Sequence, residues 1–161
     1  MKNFYIIANR IKDKHLSVAG EIAAYLEQQG CSCSVETAGS DREEGNYHYT
    51  DPGAIPKEIQ CVIVLGGDGT LLQAARDIVG RQIPLLGINL GTLGYLAEID
   101  RQNIFPALDR LMRDEYEIEG RMMLTGTVYR GDRILDQDIA LNDIVIGGQE
   151  NFTIIQFNNY V

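Results

Sequence analysis

Five apolar residues, Cys61-Val62-Ile63-Val64-Leu65, run without a break into Gly66-Gly67-Asp68-Gly69-Thr70. A strand that is apolar on every residue has to be covered on both faces, which is the situation of a central strand in a parallel sheet. Leu71, Leu72, Ala74, Ala75, Ile78 and Val79 follow at helical spacing. Strand, glycine turn and helix in immediate succession predict a turn at the carboxyl edge of an α/β sheet, where such folds bind their ligands. Glycine is in excess, 17 residues, about a tenth of the chain against a usual ~7%.

The rest of the first half repeats the alternation. Asn3 to Ala8 reads as a buried strand, and Leu16, Val18, Ile22, Tyr25 and Leu26 as a helix with Gly30 as its C-terminal stop. Cys31 to Val35 is a short strand, and residues 37 to 58 a polar surface loop. Pro84 introduces the buried strand Leu85-Leu86-Gly87-Ile88, which leads into a second glycine-punctuated turn. Ile104, Leu108, Leu111 and Met112 mark a further helix, with Pro106 acceptable in its first turn. This is an α/β, Rossmann-like domain with a parallel sheet, expected over residues 1–118.

From about residue 119 the pattern becomes antiparallel β. Met122 to Arg130 and Arg133 to Asp138 flank the turn Gly131-Asp132, and two more strands are expected at Ala140 to Ile146 and Phe152 to Phe157. Four short strands make a thin sheet, so residues 119–161 are expected to be the truncated start of a β-rich second domain. The acidic stretch Asp114 to Glu119 reads as a solvated helix end.

Acidic residues outnumber basic ones 23 to 14, a net charge of −9, which speaks against a nucleic-acid partner. No apolar run approaches the ~18 residues of a membrane span, and no signal-peptide core is present. Cys31, Cys33 and Cys61 form no pattern of paired ligands, so reduced thiols, a strand edge and a cytoplasmic location are expected.

Three segments carry chemistry. In Gly66-Gly67-Asp68-Gly69-Thr70 the bare glycines let a phosphate approach main-chain N–H groups at the positive end of the following helix. Thr70, near where that helix is expected to begin, would cap it or donate to a phosphate. Asp68 is the only ionisable group in the turn, so it needs a role that offsets its repulsion of the ligand: holding a magnesium ion, or accepting a proton from an attacking hydroxyl. This is not a Walker loop, because no lysine follows Lys57; charge neutralisation would fall to backbone, metal and arginines such as Arg76, although Arg76, about two helical turns past Asp68, reads equally well as a surface residue. In Gly87-Ile88-Asn89-Leu90-Gly91-Thr92-Leu93-Gly94-Tyr95-Leu96, Asn89 offers a donor and an acceptor, and Tyr95 is either a core residue or a flat face for a base. In Ala140 to Ile146, Asn142 and Asp143 interrupt an apolar strand; the pair suits a ribose, or is an ordinary turn or bulge. Gly147-Gly148 reads as turn chemistry.

These three segments, in this order, resemble the NAD kinase family. The resemblance covers nearly the whole chain. The first motif is shared with diacylglycerol and sphingoid lipid kinases and with phosphofructokinases; the second and third are specific to NAD kinases. The resemblance implies that Asp68 is the general base for the 2′-hydroxyl of the adenosine ribose of NAD, which attacks the terminal phosphate of ATP. It implies nucleotide binding by Gly66, Gly67, Asp68, Gly69 and Thr70, with Asn89, an adenine-facing Tyr95, and ribose-holding Asn142 and Asp143, the last where many members carry glutamate. Mg2+ or another divalent cation is implied with ATP as donor, no metal site of the protein's own is expected, and the family assembles as dimers or tetramers. The Gly-Ser/Thr-Thr-Ala-Tyr segment of the family's second domain is absent, so residues 1–161 alone are expected to show little or no activity. A lipid kinase of the same superfamily and a non-catalytic nucleotide sensor are the alternative readings.

Overall fold

The computed structural model describes residues 1–36, 50–91 and 94–145. They form two compact units, Met1–Arg121 and Met122–Val161. Residues 37–49 of the loop expected from 37 to 58, and the expected strand Phe152 to Phe157, lie outside the described residues.

The first unit is built on a five-stranded, wholly parallel sheet. Its strands are β1 (Asn3–Ala8), β2 (Ser32–Val35), β3 (Cys61–Gly66), β4 (Leu85–Asn89) and β5 (Ile99–Asp100), in the spatial order β2-β1-β3-β4-β5. Every residue of β3 is buried, as an uninterrupted apolar strand in the centre of such a sheet must be. One face packs Phe4, Ile6, Ile63 and Leu65 against α1 (Ser17–Gln28) and α3 (Ile104–Met112), through Ile22, Leu26, Ile104 and Leu108. The other face packs Tyr5, Ile7, Val62 and Val64 against Leu71, Ala74 and Ile78 of α2 (Asp68–Ile78), and against Ile55 and Ile59. After β2 the chain crosses back over β1 to lay down β3. The order therefore reverses between β1 and β3, the switch point at whose crevice doubly wound sheets bind their ligands.

The segment before β3 is held by Arg81, whose guanidinium donates to the carbonyls of Pro52, Ile55 and Pro56 at 2.6, 2.9 and 3.1 Å. Beneath it lies a buried acid. Glu36 is 8% exposed; Thr50 Oγ1 donates to its Oε2 at 3.4 Å, while its Oε1 has no hydrogen-bond partner among the described residues. Burial, with the charges of Asp77 and Asp51, pushes its pKa up to about 7, against the Thr50 hydroxyl and Arg10, which act the other way. A folded-state pKa above the unfolded value means the fold favours the protonated acid, so stability falls as pH rises from about 4.5 to about 7. Glu36→Gln, which mimics the protonated form, is expected to leave stability unchanged near pH 4.5. Above pH 7 it should raise stability by about 1–2 kcal/mol, after allowing for solvent screening of the carboxylate. Chemical denaturation at both pH values checks this; an equal effect at both contradicts it.

In the second unit β6 (Leu124–Arg130) and β7 (Arg133–Ala140) pair antiparallel, with a register shift at Val128/Tyr129 and Gly131 at φ +60° in the connecting turn. Over the described part of the strand expected from Ala140 to Ile146 no separate strand forms: Ala140 is the last residue of β7, and Leu141 to Val145 are irregular, while Ile146 and the expected turn at Gly147-Gly148 lie outside the described residues. A strand needs a ladder partner, and among the described residues none is offered to this stretch. No helix among them is long and apolar enough to cross a membrane.

Candidate functional site

The turn after β3 is tighter than the spacing of its residues suggests. The helix begins at Asp68 rather than near Thr70, because Gly67 is extended (φ −151°, ψ −173°) and itself serves as N-cap. Thr70 is therefore inside the first turn and caps nothing. Its side chain lies over Gly66, where a Cβ would stand 2.6 Å from Thr70 Cβ, and its Oγ1 accepts a 3.2 Å bond from Asn9 Nδ2. A Cβ at Gly69, by contrast, would meet nothing within 4 Å among the described residues. The glycines thus divide the work: Gly66 admits the helix's own threonine, and Gly69 leaves open space at the helix's positive end.

Asp68, in the first turn of α2, sits where the helix dipole favours a negative charge. Its carboxylate reaches across to the second glycine segment. Tyr95 N donates to Oδ2 at 2.8 Å and Leu96 N to Oδ1 at 3.2 Å. The Tyr95 amide foremost, then those of Leu96 and Ala97 and the charge of Lys12, hold the carboxyl below its ordinary pKa, against an opposing effect of burial. The group is a carboxylate at any neutral pH. It is a weak base with lone pairs to spare, suited to accepting a hydrogen bond from a hydroxyl.

The second segment is arranged around that carboxylate. Gly94 lies so close that a Cβ there would overlap Asp68 Oδ1, Cγ and Oδ2. Tyr95 is not the core residue that its sequence setting allows: its side chain is fully exposed, and it is its main-chain N–H that meets the Asp68 carboxylate. Asn89, the last residue of β4 and register partner of Gly66, is buried, and its Oδ1 accepts a 2.8 Å bond from Gly91 N. That bond shapes the turn after β4. Thr92 and Leu93 lie outside the described residues.

Asn9 and Lys12, which motif reading does not single out, join this site from the loop after β1. An ideal Cβ on Gly67 would stand 2.6 Å from Lys12 Nζ, and one on Gly91 3.6 Å from it. Their only sequence signal is position: they follow a predicted strand directly, at the edge where the glycine turns also emerge. Arg76, expected as a phosphate partner, is instead in the last turn of α2, about 12 Å along the helix from Asp68 at 1.5 Å per residue.

The structure thus brings together Gly66, Gly67, Asp68, Gly69, Thr70, Asn89 and Tyr95 within the first unit. Asn142 and Asp143 belong to the second, where both are exposed and the Asn142 amide donates to Asp143 Oδ2 at 3.3 Å. No group of three or more metal-ligating side chains occurs among the described residues. Asp68 by itself fits a magnesium ion only in the way nucleotide sites usually do, with the ion carried in on substrate phosphates.

Residues 4–116 match the family model of the ATP-NAD kinase N-terminal domain. Among curated proteins, the chain is similar to an NAD kinase of Lachnospira eligens, 44% identical over 163 residues, which takes in 100% of this chain and 55% of the relative. An NAD kinase of Lachnoclostridium phytofermentans is 45% identical over 148 residues, 91% of this chain and 50% of the relative. The chain therefore spans about half the length of the curated relatives it matches. Among solved structures, yeast NADH kinase complexed with NADH superposes with a TM-score of 0.64 over 88% of this chain and 44% of that one, at 18% identity, a likeness of fold.

Proposed function

The chain belongs to the NAD kinase family, and on that premise we propose that the whole protein transfers the terminal phosphoryl group of ATP to the 2′-hydroxyl of the adenosine ribose of NAD. The observation that carries the reading is the Asp68 carboxylate, held ionised between two glycine turns at the positive end of α2, with open space beside Gly69. In the proposed reaction the 2′-oxygen forms a bond to the terminal phosphorus as the bond from that phosphorus to its bridging oxygen breaks. The electron pair leaves with ADP, and the hydroxyl proton passes to Asp68. Phosphoryl transfer of this kind has a loose transition state and depends on alignment and charge, so a weak base that orients the hydroxyl and takes its proton late is adequate.

The remaining roles follow from chemistry. Main-chain amides at Gly67, Asp68 and Gly69 face the phosphates, and the exposed Tyr95 ring offers a flat surface to adenine. Asn142 and Asp143 supply donors and acceptors for ribose hydroxyls. A divalent cation, when present on the phosphates, offsets their charge. Three free thiols support a reducing, cytoplasmic setting, and assembly into dimers or tetramers is part of the same reading.

Incubation of the whole protein with NAD, ATP and magnesium, followed by an NADP-specific dehydrogenase assay, tests the proposal. NADP is expected to accumulate, and diacylglycerol and sphingoid bases to remain unphosphorylated. Phosphorylation of the lipid without NADP formation would transfer the assignment to the lipid kinases.

A further inference from the structure

We propose that Lys12 is the phosphate-binding cation of this site, its ammonium group delivered over Gly67 by the loop after β1 to hold the phosphate chain of the donor nucleotide. The identity of the donor rests on the kinase reading above; the binding chemistry does not.

Four observations converge on Lys12. The first is its place in the fold. The sheet order reverses between β1 and β3, so the loop carrying Lys12 and the turn carrying Gly67 and Asp68 form the two lips of the ligand crevice. The second is the rigidity of its platform. Asn9 Oδ1 accepts from the amides of Ile11 and Lys12 at 3.0 and 3.2 Å, and Asn9 O accepts from those of Lys12 and Asp13 at 3.0 and 2.8 Å. Asp13, only 1% exposed, accepts from Val18 N and Ala19 N, both at 2.9 Å. Lys12 is thus anchored on both sides, and only its side chain is left to move.

The third observation is the space kept for it. A Cβ at Gly67 would stand 2.6 Å from Nζ, so a residue with a side chain there would displace the ammonium group. Gly91, in the facing turn, would place a Cβ 3.6 Å from the same atom. The ammonium group thus lies between the two glycine turns, and it is Gly67 that leaves room for it.

The fourth is electrostatic necessity. A chain of net charge −9, with a carboxylate in the turn itself, has to supply positive charge locally to attract a polyanion. Several other cations among the described residues are placed or engaged differently. Lys2 and Lys57 precede β1 and β3, at the opposite edge of the sheet, Arg10 is close enough to Glu36 to act on its charge, and Arg76 is at the far end of α2. Lys12 also acts on the charge of Asp68. One ammonium group therefore binds the incoming phosphate and adds to the main-chain amides that hold the acceptor ionised.

The test uses the whole protein and the variants Lys12→Gln and Lys12→Arg, with Lys14→Gln, on the same loop, as control. Binding of inorganic tripolyphosphate, followed by calorimetry without NAD, is expected to weaken about 10-fold or more in Lys12→Gln, to recover in part in Lys12→Arg, and to be unchanged in Lys14→Gln. In turnover, Lys12→Gln should raise the KM for ATP and lower kcat while the KM for NAD stays within about twofold. The acid limb of its pH profile should move to higher pH as Asp68 loses its neighbouring charge. Tripolyphosphate binding and an ATP KM unchanged in Lys12→Gln would overturn the proposal. So would equal losses toward NAD and ATP with a lowered melting temperature, which would make Lys12 a structural residue. A wild-type protein that binds tripolyphosphate through Lys12 but forms no NADP would instead sink the kinase reading and leave the binding assignment standing.

Discussion

Asp68→Asn is expected to lower NADP formation by the whole protein about 10²- to 10⁴-fold, the span usual for loss of a positioned acid–base group. The amide cannot take the hydroxyl proton. It also cannot accept from both Tyr95 N and Leu96 N, because one of its two positions becomes an NH2 facing an N–H. Two losses are therefore combined, and they separate by measurement. Loosening of the Tyr95–Leu96 segment appears as weaker NAD binding, whereas loss of the proton acceptor appears in kcat with bound substrate. The wild-type pH profile adds a check with a definite sign. Because main-chain amides and Lys12 hold the Asp68 carboxyl below its ordinary pKa, it stays ionised, and kcat/KM should stay flat, as pH falls through the usual aspartate value of about 3.9. Activity falling with an apparent pKa near 6 would assign the base to another group, and an unimpaired Asp68→Asn enzyme would remove Asp68 from the chemistry.

The parts of this site that are legible in the sequence are those set by local pattern. The run from Cys61 to Leu65 can only be a doubly covered strand, so Gly66 to Thr70 must lie at its carboxyl end; the same logic carries Leu85 to Asn89 and the second turn to the same edge. What pattern cannot show is contact across long separations in the chain. Lys12 meets Gly67 because β1 and β3 are neighbours, a fact of sheet order and not of spacing. Gly94 follows the same rule: its need for a bare Cα comes from the Asp68 carboxylate, 26 residues earlier, lying against it. The helix start moved to Asp68 because a glycine in extended conformation supplies the N-cap position without a side chain, leaving Thr70 for Asn9. The strand expected over residues 140–146 rested on an apolar run interrupted by Asn142 and Asp143, and such a run does not by itself provide a pairing partner.

The glycines of the two turns make opposite predictions for one and the same substitution. Gly94→Ala places a methyl group where the Asp68 carboxylate now lies, so the carboxylate must give up the Tyr95 and Leu96 amides or the segment must move. A stability loss of about 1–3 kcal/mol is expected, as for overpacking elsewhere. Turnover should fall about 10²-fold, because the acceptor leaves its aligned position. Gly69→Ala meets no atom of the described residues and lies in the first turn of α2, where alanine is the better helix former by up to about 1 kcal/mol. The melting temperature of that variant should hold or rise. Its activity should nevertheless drop at least about 10-fold, since the added methyl group projects into the space where a phosphate approaches main-chain amides. Thermal melts and kcat/KM on the pair decide the matter. A Gly69→Ala enzyme that is stable and fully active would show that the phosphates do not come to this turn, and the placement of the donor nucleotide would fall with it.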